Sequence, residues 1–295
     1  MSKKLIVILG PTASGKSELA IKLAKKFNGE VVSADSRQVY KGMDIGTGKV
    51  TKKERRSIPH YLLDVANPKR RFTVVQYRKL AIKAMGKILK KGKVPILCGG
   101  TGFYIQAIID GIVIPEIKPD WRLRSNLKQK SIKELFSLLK KIDPKRAKTI
   151  EKDNPRRLIR AIEIVIKTKK PVPVLKNSPF PYPVLIIGIK KSPDELKKSI
   201  KRRFFKWLEQ GFIGEVKKLK KSNLSWKKIE EFGIHYRAVA QYLQNKITRQ
   251  EMIEKSLREL QKYSKRQMTW FKKDQQIRWI ENYQEAEKLT KAFLK

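Results

Sequence analysis

A phosphate-binding pattern lies near the start of the chain, where the apolar run Leu5 to Leu9 leads through a glycine loop to Lys16. The spacing matches the Walker A pattern, which requires a strand before the loop and a helix after it. Backbone N–H groups and the helix N-terminus attract phosphate oxygens, lysine reaches the terminal phosphates, and the following hydroxyl can hold Mg²⁺. The predicted phosphate-binding residues are Gly10, Pro11, Thr12, Ala13, Ser14, Gly15, Lys16 and Ser17, and Ser17 is also the predicted magnesium ligand.

Two later segments can bring polar groups to the same place. The run "EVVSAD" ends at Asp35, and "CGGTGFY" carries Thr101 after another apolar run. Ligands of parallel α/β sheets bind beyond the carboxyl ends of the strands, so we expect Asp35 and Thr101 to face Lys16. Asp64, inside "HYLLDV", is a second carboxylate whose role, structural or metal-binding, stays open at this point. The loop pattern also leaves open whether its ligand is a nucleotide.

The elements that must position these residues follow from hydrophobic periodicity. Apolar runs at 5–9, 30–34, 94–98 and 184–189 predict strands. Helical patterns begin at about Ser17 and cover 74–91, 194–210 and 249–272. Such alternation predicts an α/β fold in which a parallel sheet, like that of P-loop NTPases, is flanked by helices.

Residues 118–178 have a different composition, with 19 Lys and Arg residues against 6 Asp and Glu residues. Helical periodicity dominates in "IKELFSLLKKI" and "RRLIRAIEIVI". We therefore predict a helical, basic insertion at 118–178, closed by a Pro-rich linker at 171–183. Residues 1–117 and 179–295 are the predicted catalytic core.

Composition narrows the class of protein further. A formal net charge of +43 predicts attraction to a polyanion, first of all nucleic acid, although a lysine-rich surface without a partner is the alternative. Cys98 is the single cysteine, so no internal disulfide can form and a reducing compartment is expected. No stretch approaches the ~18 apolar residues of a membrane helix, and the N-terminal apolar run is too short for a signal peptide. We expect a cytoplasmic protein with no membrane partner.

The segments "GPTASGKS", "SADSRQVYKGMDIGTGK", "PHYLLDV", "CGGTGFYIQAIIDG", "NPRRLIRAIEI", "FGIHYRAV" and "KRQMTWFKKD" occur in this order between Gly10 and Asp274. Together they resemble the motifs of the tRNA dimethylallyltransferases, also called tRNA isopentenyltransferases. The resemblance implies that the loop holds dimethylallyl diphosphate rather than ATP. It also implies transfer of the prenyl group to the exocyclic amine of the adenosine at position 37 of tRNA, just 3′ of the anticodon. The products are N6-dimethylallyladenosine and diphosphate.

The same resemblance implies roles for three residues. Asp35 corresponds to the family's general base, Thr101 to the residue that steadies the bridging oxygen of the leaving group, and Arg203, in "KRRFFKWL", to an arginine that contacts the diphosphate. An exocyclic adenine amine is a weak nucleophile, so a carboxylate that accepts its proton suits the reaction. The leaving group needs its growing charge neutralised, which Lys16, Arg203 and Mg²⁺ can do.

The resemblance also implies contacts with the tRNA anticodon stem-loop, from which the adenosine must be extruded. "DSRQ" matches the segment that receives the flipped base, and Gln267 is expected to reach a base edge. We expect Trp270 and Phe271 to pack in the core instead of contacting the tRNA. The insertion at 118–178 is expected to bind tRNA. The predicted tRNA-binding residues are Asp35, Ser36, Arg37, Gln38, Arg156, Arg157, Arg160, Phe232, Gly233, His235, Tyr236, Arg237, Lys265, Arg266 and Gln267.

One position departs from the family's pattern, because His235 stands where relatives commonly have glycine. We expect a packing or RNA-facing role for His235 and a structural one for His60, with no zinc site, since no Cys/His cluster accompanies them. A monomer is expected. Three alternatives remain: an adenylate isopentenyltransferase acting on free nucleotides, a P-loop kinase or NTPase, and a non-enzymatic RNA-binding protein.

Overall fold

The sheet is entirely parallel and has six strands within the part of the chain that the computed structural model describes, residues 3–55, 57–112, 117–173 and 178–295. The strands lie in the order β3-β2-β4-β1-β5-β6. The predicted α/β fold with a parallel sheet is confirmed. The strands are β1 (Leu5–Leu9), β2 (Gly29–Ser33), β3 (His60–Tyr61), β4 (Val94–Gly99), β5 (Val184–Ile189) and β6 (Arg278–Ile280).

The helices cover both faces of the sheet and also form the segment between β4 and β5. None of the helices in the described ranges is long and apolar enough to cross a membrane. They are α1 (Lys16–Lys26), α2 (Lys52–Arg55), α3 (Val74–Lys90), α4 (Gly102–Ile109), α5 (Trp121–Leu127), α6 (Ile132–Ile142), α7 (Pro144–Thr149), α8 (Pro155–Thr168), α9 (Pro193–Glu209), α10 (Phe212–Lys221), α11 (Trp226–Glu231), α12 (Ile234–Leu243), α13 (Arg249–Phe271) and α14 (Tyr283–Leu294).

The central strand β1 explains why helices are needed on both faces. Successive side chains of a strand point to opposite faces. Leu5, Val7 and Leu9 enter a core that includes residues of α3, α4 and α9 to α13. Ile6 and Ile8 enter a second core, with residues of α1 and α14. All five residues are almost completely buried, as expected for a strand between two layers of helices.

Strong local patterns place most element ends within a residue of the prediction. Helix α3, for example, begins after Thr73, whose side chain accepts from the Gln76 N–H while the Gln76 side chain accepts from the Thr73 N–H. This capping box fixes the start of the helix. The edge strand β6, of three residues, was not predicted because so short a run has no period, whereas β3, of two residues, begins the candidate run "HYLLDV".

The chain divides into two compact units, Met1–Gly111 with Pro179–Lys295, and Ile112–Ser178. The second unit begins six residues before the predicted start of the insertion at 118. It contains α5 to α8 and has its own core, which includes Leu135, Leu139 and Ile162. Residues 174–177 of the predicted linker lie outside the described residues.

Within the first unit, the buried carboxylate of Glu215 on α10 holds the loop that follows β2. Its oxygens accept hydrogen bonds from the N–H groups of Asp44 (2.7 Å), Ile45 (2.6 Å) and Gly46 (3.2 Å), and from the hydroxyl of Tyr236 (2.6 Å). Backbone donors that converge on one carboxylate form a charge-assisted network. The loop therefore depends on a single side chain about 170 residues away in sequence.

Replacing this carboxylate tests that dependence. We expect Glu215→Gln to lower the free energy of unfolding by about 2–4 kcal/mol, because an amide offers an N–H₂ group where backbone N–H groups need acceptors. The measurement is urea unfolding followed by circular dichroism. Glu209→Gln, at an exposed position near the end of α9, is the matched control and should change stability by less than about 0.5 kcal/mol. Equal effects of the two changes would contradict the assigned role of Glu215.

Candidate functional site

The phosphate loop turns sharply between β1 and α1. Gly10, Ala13 and Gly15 have φ angles of 149°, 63° and 94°, all in the region that favours glycine. A Cβ at Gly10 would lie 3.2 Å from both the Ile189 carbonyl oxygen and Ser14 Oγ. The hydroxyl of Ser14 is buried and has no hydrogen-bond partner among the described residues. An unpaired buried polar group at this place is a ready partner for an anionic oxygen.

Lys16 folds back over this loop, and its ammonium group donates to the Pro11 carbonyl oxygen at 2.5 Å. The pKa of Lys16 is lowered to about 8, because withdrawal from water and the positive charge of Arg203 lower it more than Cys98 and Asp35 raise it. The charges of Lys16, Arg203 and Asp35 therefore act on one another. The structure thus brings these three predicted residues together.

The ends of β2 and β4 are joined beside the phosphate loop. The Ala34 N–H donates to the Cys98 carbonyl (2.7 Å), and the Thr101 N–H donates to the Ala34 carbonyl (3.1 Å). Gly99 permits this approach, because a Cβ there would lie 2.2 Å from the Ala34 oxygen. The Thr101 hydroxyl in turn accepts from the Ser36 N–H at 3.0 Å. Thr101 is thereby held next to the segment that carries Asp35.

Asp35 forms a turn with the residues that follow it. Its Oδ1 atom accepts from the N–H groups of Arg37 (2.7 Å) and Gln38 (3.2 Å). Among the described residues, Oδ2 makes no hydrogen bond, so one carboxylate oxygen orients the side chain and the other remains available. A carboxylate arranged in this way can accept a proton from a bound group.

Arg203 on α9 reaches the site from another direction. Its guanidinium lies 4.9 Å from the centre of the Trp207 ring and packs against the backbone of Gly48, where a Cβ would be 1.7 Å from Nη2. Burial lowers the pKa of Arg203, which Asp35 partly offsets. The guanidinium can occupy this position because residue 48 is a glycine, since any side chain there would displace it.

Tyr263 on α13 is a residue of this region that the sequence reasoning missed. Its hydroxyl lies near the Thr101 side chain and within range of the charges of Asp35, Arg37 and Arg266, and burial raises its pKa. A sequence signal existed, because Tyr263, Gln267 and Trp270 are spaced as one face of a helix. Trp270, expected in the core, is 39% exposed and lies against Gly102, whereas Phe271 is buried as expected.

The structure places five of the predicted tRNA-binding side chains inside the protein or in internal bonds. Phe232 and Tyr236 are 4% and 1% exposed. Gln267 is buried between two backbone segments, and the Gln38 amide contacts Ser33 and the carbonyls of 47 and 48. In the second unit, Arg160 pairs with buried Glu163 and donates to the Ile117 carbonyl. These side chains make internal contacts because each points toward a neighbouring segment of its own unit.

Apart from Asp35 and His235, the other predicted tRNA-binding residues are more open. Arg156, Arg157, Arg237, Lys265 and Arg266 are exposed, although Arg157 lies 3.4 Å from Glu151. Ser36 and Arg37 are half-buried beside Asp35. Gly233 has a φ of 89° and precedes α12, and its nearest outside neighbour is the Arg37 guanidinium. Exposed Arg and Lys side chains of this kind are able to contact phosphate.

His235 packs rather than facing outward. Its Nε2–H donates to the Gly46 carbonyl, and its ring lies 5.1–5.3 Å from the rings of Trp207, Phe212 and Tyr236. Nδ1 is buried and has no partner among the described residues. The pKa of His235 is lowered to about 4, chiefly by burial and also by the charges of Arg203 and Arg37, while the hydrogen bond to the Gly46 carbonyl opposes this shift. The imidazole is therefore neutral near pH 7 and links α12 to the loop that holds Arg203.

Two acidic residues away from Lys16 and Asp35 have a structural role. Asp64 and Asp44 both pair with the buried ammonium of Lys49, at 2.6 Å and 2.5 Å. This pairing gives Asp64 a structural partner and leaves Asp35 as the carboxylate near Lys16. Within the described ranges, no group of three or more His, Cys, Asp or Glu side chains could hold a metal ion.

Comparisons with known proteins agree with one another. The family model described as IPP transferase matches residues 38–274. The chain is 40% identical to the tRNA dimethylallyltransferases of Acetivibrio thermocellus and Halothermothrix orenii, over 97% and 98% of this chain and 95% and 93% of theirs. The full-length tRNA isopentenylpyrophosphate transferase of Bacillus halodurans has a similar structure, with a TM-score of 0.72 and 35% identity, over 98% of this chain and 94% of that chain. The structure of a eukaryotic dimethylallyltransferase acting on tRNA is also similar, with a TM-score of 0.74 and 29% identity. This match covers 92% of this chain and 70% of that chain.

The lowered pKa of Lys16 predicts how anion binding depends on pH. The free protein loses the ammonium charge as pH rises through about 8, so affinity for inorganic pyrophosphate should fall above that value. Titration calorimetry from pH 6.5 to 9.5 measures this. Lys16→Arg stays charged throughout, and the ratio of the two affinities cancels the ligand's own titration. We expect wild-type affinity to fall roughly 10-fold or more relative to Lys16→Arg. A constant ratio would contradict the assigned position of Lys16.

The neutral, buried His235 predicts an acid-sensitive fold. The unfolded chain binds a proton at this histidine near pH 6.5, whereas the folded protein binds it only near pH 4. The unfolding free energy should therefore decrease as pH falls from about 6.5 to about 4, by up to about 3 kcal/mol. Urea unfolding across this range should show a flatter profile for His235→Gln. His60 is present in both proteins, so parallel profiles would exclude His235 as the cause.

Proposed function

The chain belongs to the tRNA dimethylallyltransferase family and is a prenyltransferase that acts on tRNA, and from this premise we propose the substrates and the residues that act on them. The prenyl donor is dimethylallyl diphosphate, and the acceptor is the exocyclic amine of the adenosine at position 37, in the anticodon stem-loop. The observation that carries the proposal is the placement of Asp35 beside two cations, Lys16 and Arg203, at the carboxyl edge of the sheet.

The diphosphate of the donor binds the cations and the phosphate loop. Lys16 and Arg203 neutralise charge that accumulates on the leaving group as its bond to carbon breaks. The Ser14 hydroxyl, buried without a partner among the described residues, can donate to a phosphate oxygen. Thr101 presents a hydroxyl beside the loop, and we assign to it the bridging oxygen. Lys16 has to exchange its bond to the Pro11 carbonyl for the phosphate, at little cost because both are oxygen acceptors.

Mg²⁺ suits the donor set on this chain. Ser17 offers one half-buried hydroxyl oxygen in the first turn of α1, and Mg²⁺ commonly takes one or two protein oxygens together with substrate phosphates and waters. When bound, the ion would supply further positive charge to the diphosphate. Ser17 is the residue that would hold it.

Asp35 acts on the acceptor. The amine nitrogen forms a bond to C1 of the dimethylallyl group, the bond from C1 to the bridging oxygen breaks, and diphosphate departs with the bonding electron pair. The amine proton passes to Asp35 Oδ2, the oxygen that the Arg37 and Gln38 N–H groups leave available. Proton acceptance matters because the amine's lone pair is delocalised into the adenine ring. Transfer rather than hydrolysis follows from positioning the amine in line with the donor.

The tRNA is bound by surface charge. The exposed Arg237, Lys265 and Arg266 of the first unit are suited to its phosphates, as are Arg156 and Arg157 of the second. Binding through phosphates displaces counterions, so affinity should decrease steeply with salt. The adenosine leaves its stacked position in the loop to reach Asp35, which costs less in a single-stranded loop than in a duplex.

Replacing the carboxylate by an amide tests the reaction directly. Asp35→Asn keeps the Oδ1 acceptor for the Arg37 N–H and removes the base, so we expect kcat to decrease about 10²–10⁴-fold while tRNA affinity changes less than about 3-fold. The assay contains dimethylallyl diphosphate, Mg²⁺ and an unmodified tRNA transcript, and mass spectrometry identifies the modified nucleoside. Asp194→Asn, exposed at the start of α9, is the control.

Parallel reactions separate this proposal from its rivals. AMP replaces tRNA in one reaction, and labelled ATP replaces the prenyl donor in another. Prenylated AMP, phosphate release from ATP, or a wild-type rate for Asp35→Asn would each overturn the assignment.

A further inference from the structure

One buried amide joins the two halves of the phosphate-binding region. Gln267, near the end of α13, is 6% exposed. Its Nε2 donates to the Gly100 carbonyl at 2.7 Å, and its Oε1 accepts from the Thr12 N–H at 2.8 Å. Thr12 belongs to the phosphate loop after β1, whereas Gly100 directly precedes Thr101 after β4. A single side chain therefore connects the diphosphate-binding loop to the residue assigned to the bridging oxygen.

The chemistry of this contact requires a primary amide. The contact needs an acceptor for one backbone N–H and a donor for one backbone carbonyl. The glutamine amide supplies both, as an oxygen and an N–H₂ group on the same carbon atom. Glutamine fits only because position 100 is glycine, since a Cβ there would lie 2.3 Å from Nε2. Both contacted backbone groups are then satisfied without water, and leaving either of them unpaired would be unfavourable.

The rest of the helix face supports the same turn. Tyr263, one turn before Gln267, lies near the Thr101 side chain, and Trp270, about one turn after it, lies against Gly102. Residues at this spacing lie on one face of a helix. Three successive residues of the turn after β4 thus contact three side chains of α13. Gln267 is the one among them that also reaches the phosphate loop.

We propose that Gln267 is a positioning residue that sets the separation between the phosphate loop and Thr101, and so aligns the leaving group. This inference rests on the proposed transfer from dimethylallyl diphosphate. It replaces the sequence-based expectation that Gln267 reads a base edge of the tRNA. A displacement of about 1 Å between reacting groups is enough to reduce a rate by about 100-fold.

Gln267→Glu provides a sensitive test, because its effect should depend on pH. The ionised carboxylate accepts from the Thr12 N–H but repels the Gly100 carbonyl. The protonated acid has the shape of the amide, and its O–H can donate to that carbonyl. We expect kcat about 10–100-fold below wild type at pH 8.5, with the ratio of variant to wild type recovering several-fold at pH 6. Gln267→Leu should be impaired equally at both pH values.

Binding measurements separate this role from RNA recognition. The affinity of Gln267→Glu for tRNA should stay within about 3-fold of wild type, since the side chain does not reach the surface. Its affinity for inorganic pyrophosphate should decrease several-fold at pH 8.5 and recover at pH 6. This second measurement tests the inference even if wild-type protein fails to prenylate tRNA, an outcome that would overturn the proposed function alone.

Two further variants complete the design. Gln250→Glu, exposed about 25 Å along the same helix, introduces the same charge and should behave like wild type. Gly100→Ala keeps Gln267 but places a methyl group against its amide, so it should reproduce the loss of kcat and of pyrophosphate affinity without the pH dependence. Should Gln267→Glu fail to fold, the kcat and the pyrophosphate affinity of Gly100→Ala still test the inference. A pH-independent ratio for Gln267→Glu, a selective loss of tRNA affinity, or unchanged pyrophosphate affinity in both variants would overturn the inference.

Discussion

Lys16 and Arg203 repel each other, and the protein holds them together before any anion is bound. Burial lowers the pKa of both side chains, each lies within range of the negative charge of Asp35, and Glu54 also acts on Arg203. The site therefore carries an excess of positive charge in a partly dehydrated place, where electrostatic interactions are stronger than in water. The diphosphate of the proposed prenyl donor would supply the missing negative charge. The proposed affinity for this group therefore arises from a repulsion that the fold maintains in the free protein.

Contacts outside the phosphate loop maintain that arrangement. Arg203 rests on Trp207 and on the backbone of Gly48, and the loop containing Gly48 is fixed at its start by Glu215 and His235. Helix α13 fixes the turn after β4 through Gln267. Helices from the last third of the chain thus support the site, although the phosphate loop itself lies in the first third. Such supporting contacts give a preorganised site its accuracy.

Sequence patterns were sufficient where the controlling interactions are local. The phosphate loop, the alternation in β1 and the start of α3 depend on residues a few positions apart, and each was predictable. Gln267 shows the limit, because its partners Thr12 and Gly100 are 255 and 167 residues away. Neighbouring Lys265 and Arg266 are exposed, and Gln267 was predicted to contact tRNA together with them. Successive helix residues point about 100° apart, so only the spacing with Tyr263 and Trp270 indicated that Gln267 faces inward.

The positions of the acidic residues explain why the net charge of +43 is carried by the protein surface. Several of the 27 carboxylates are used inside the protein: Glu30 with Lys91 and Lys93, Glu163 with Arg124 and Arg160, and Glu215 with backbone N–H groups. These carboxylates are themselves buried and are used in internal contacts, and over the whole sequence 70 Lys and Arg residues stand against 27 Asp and Glu residues, so positive charge predominates on the surface. The mutual repulsion of those cations disfavours the compact state, and a bound polyanion relieves it. Binding of tRNA and stability of the fold are therefore linked through the same surface charges, since a ligand that binds only the folded state also stabilises it.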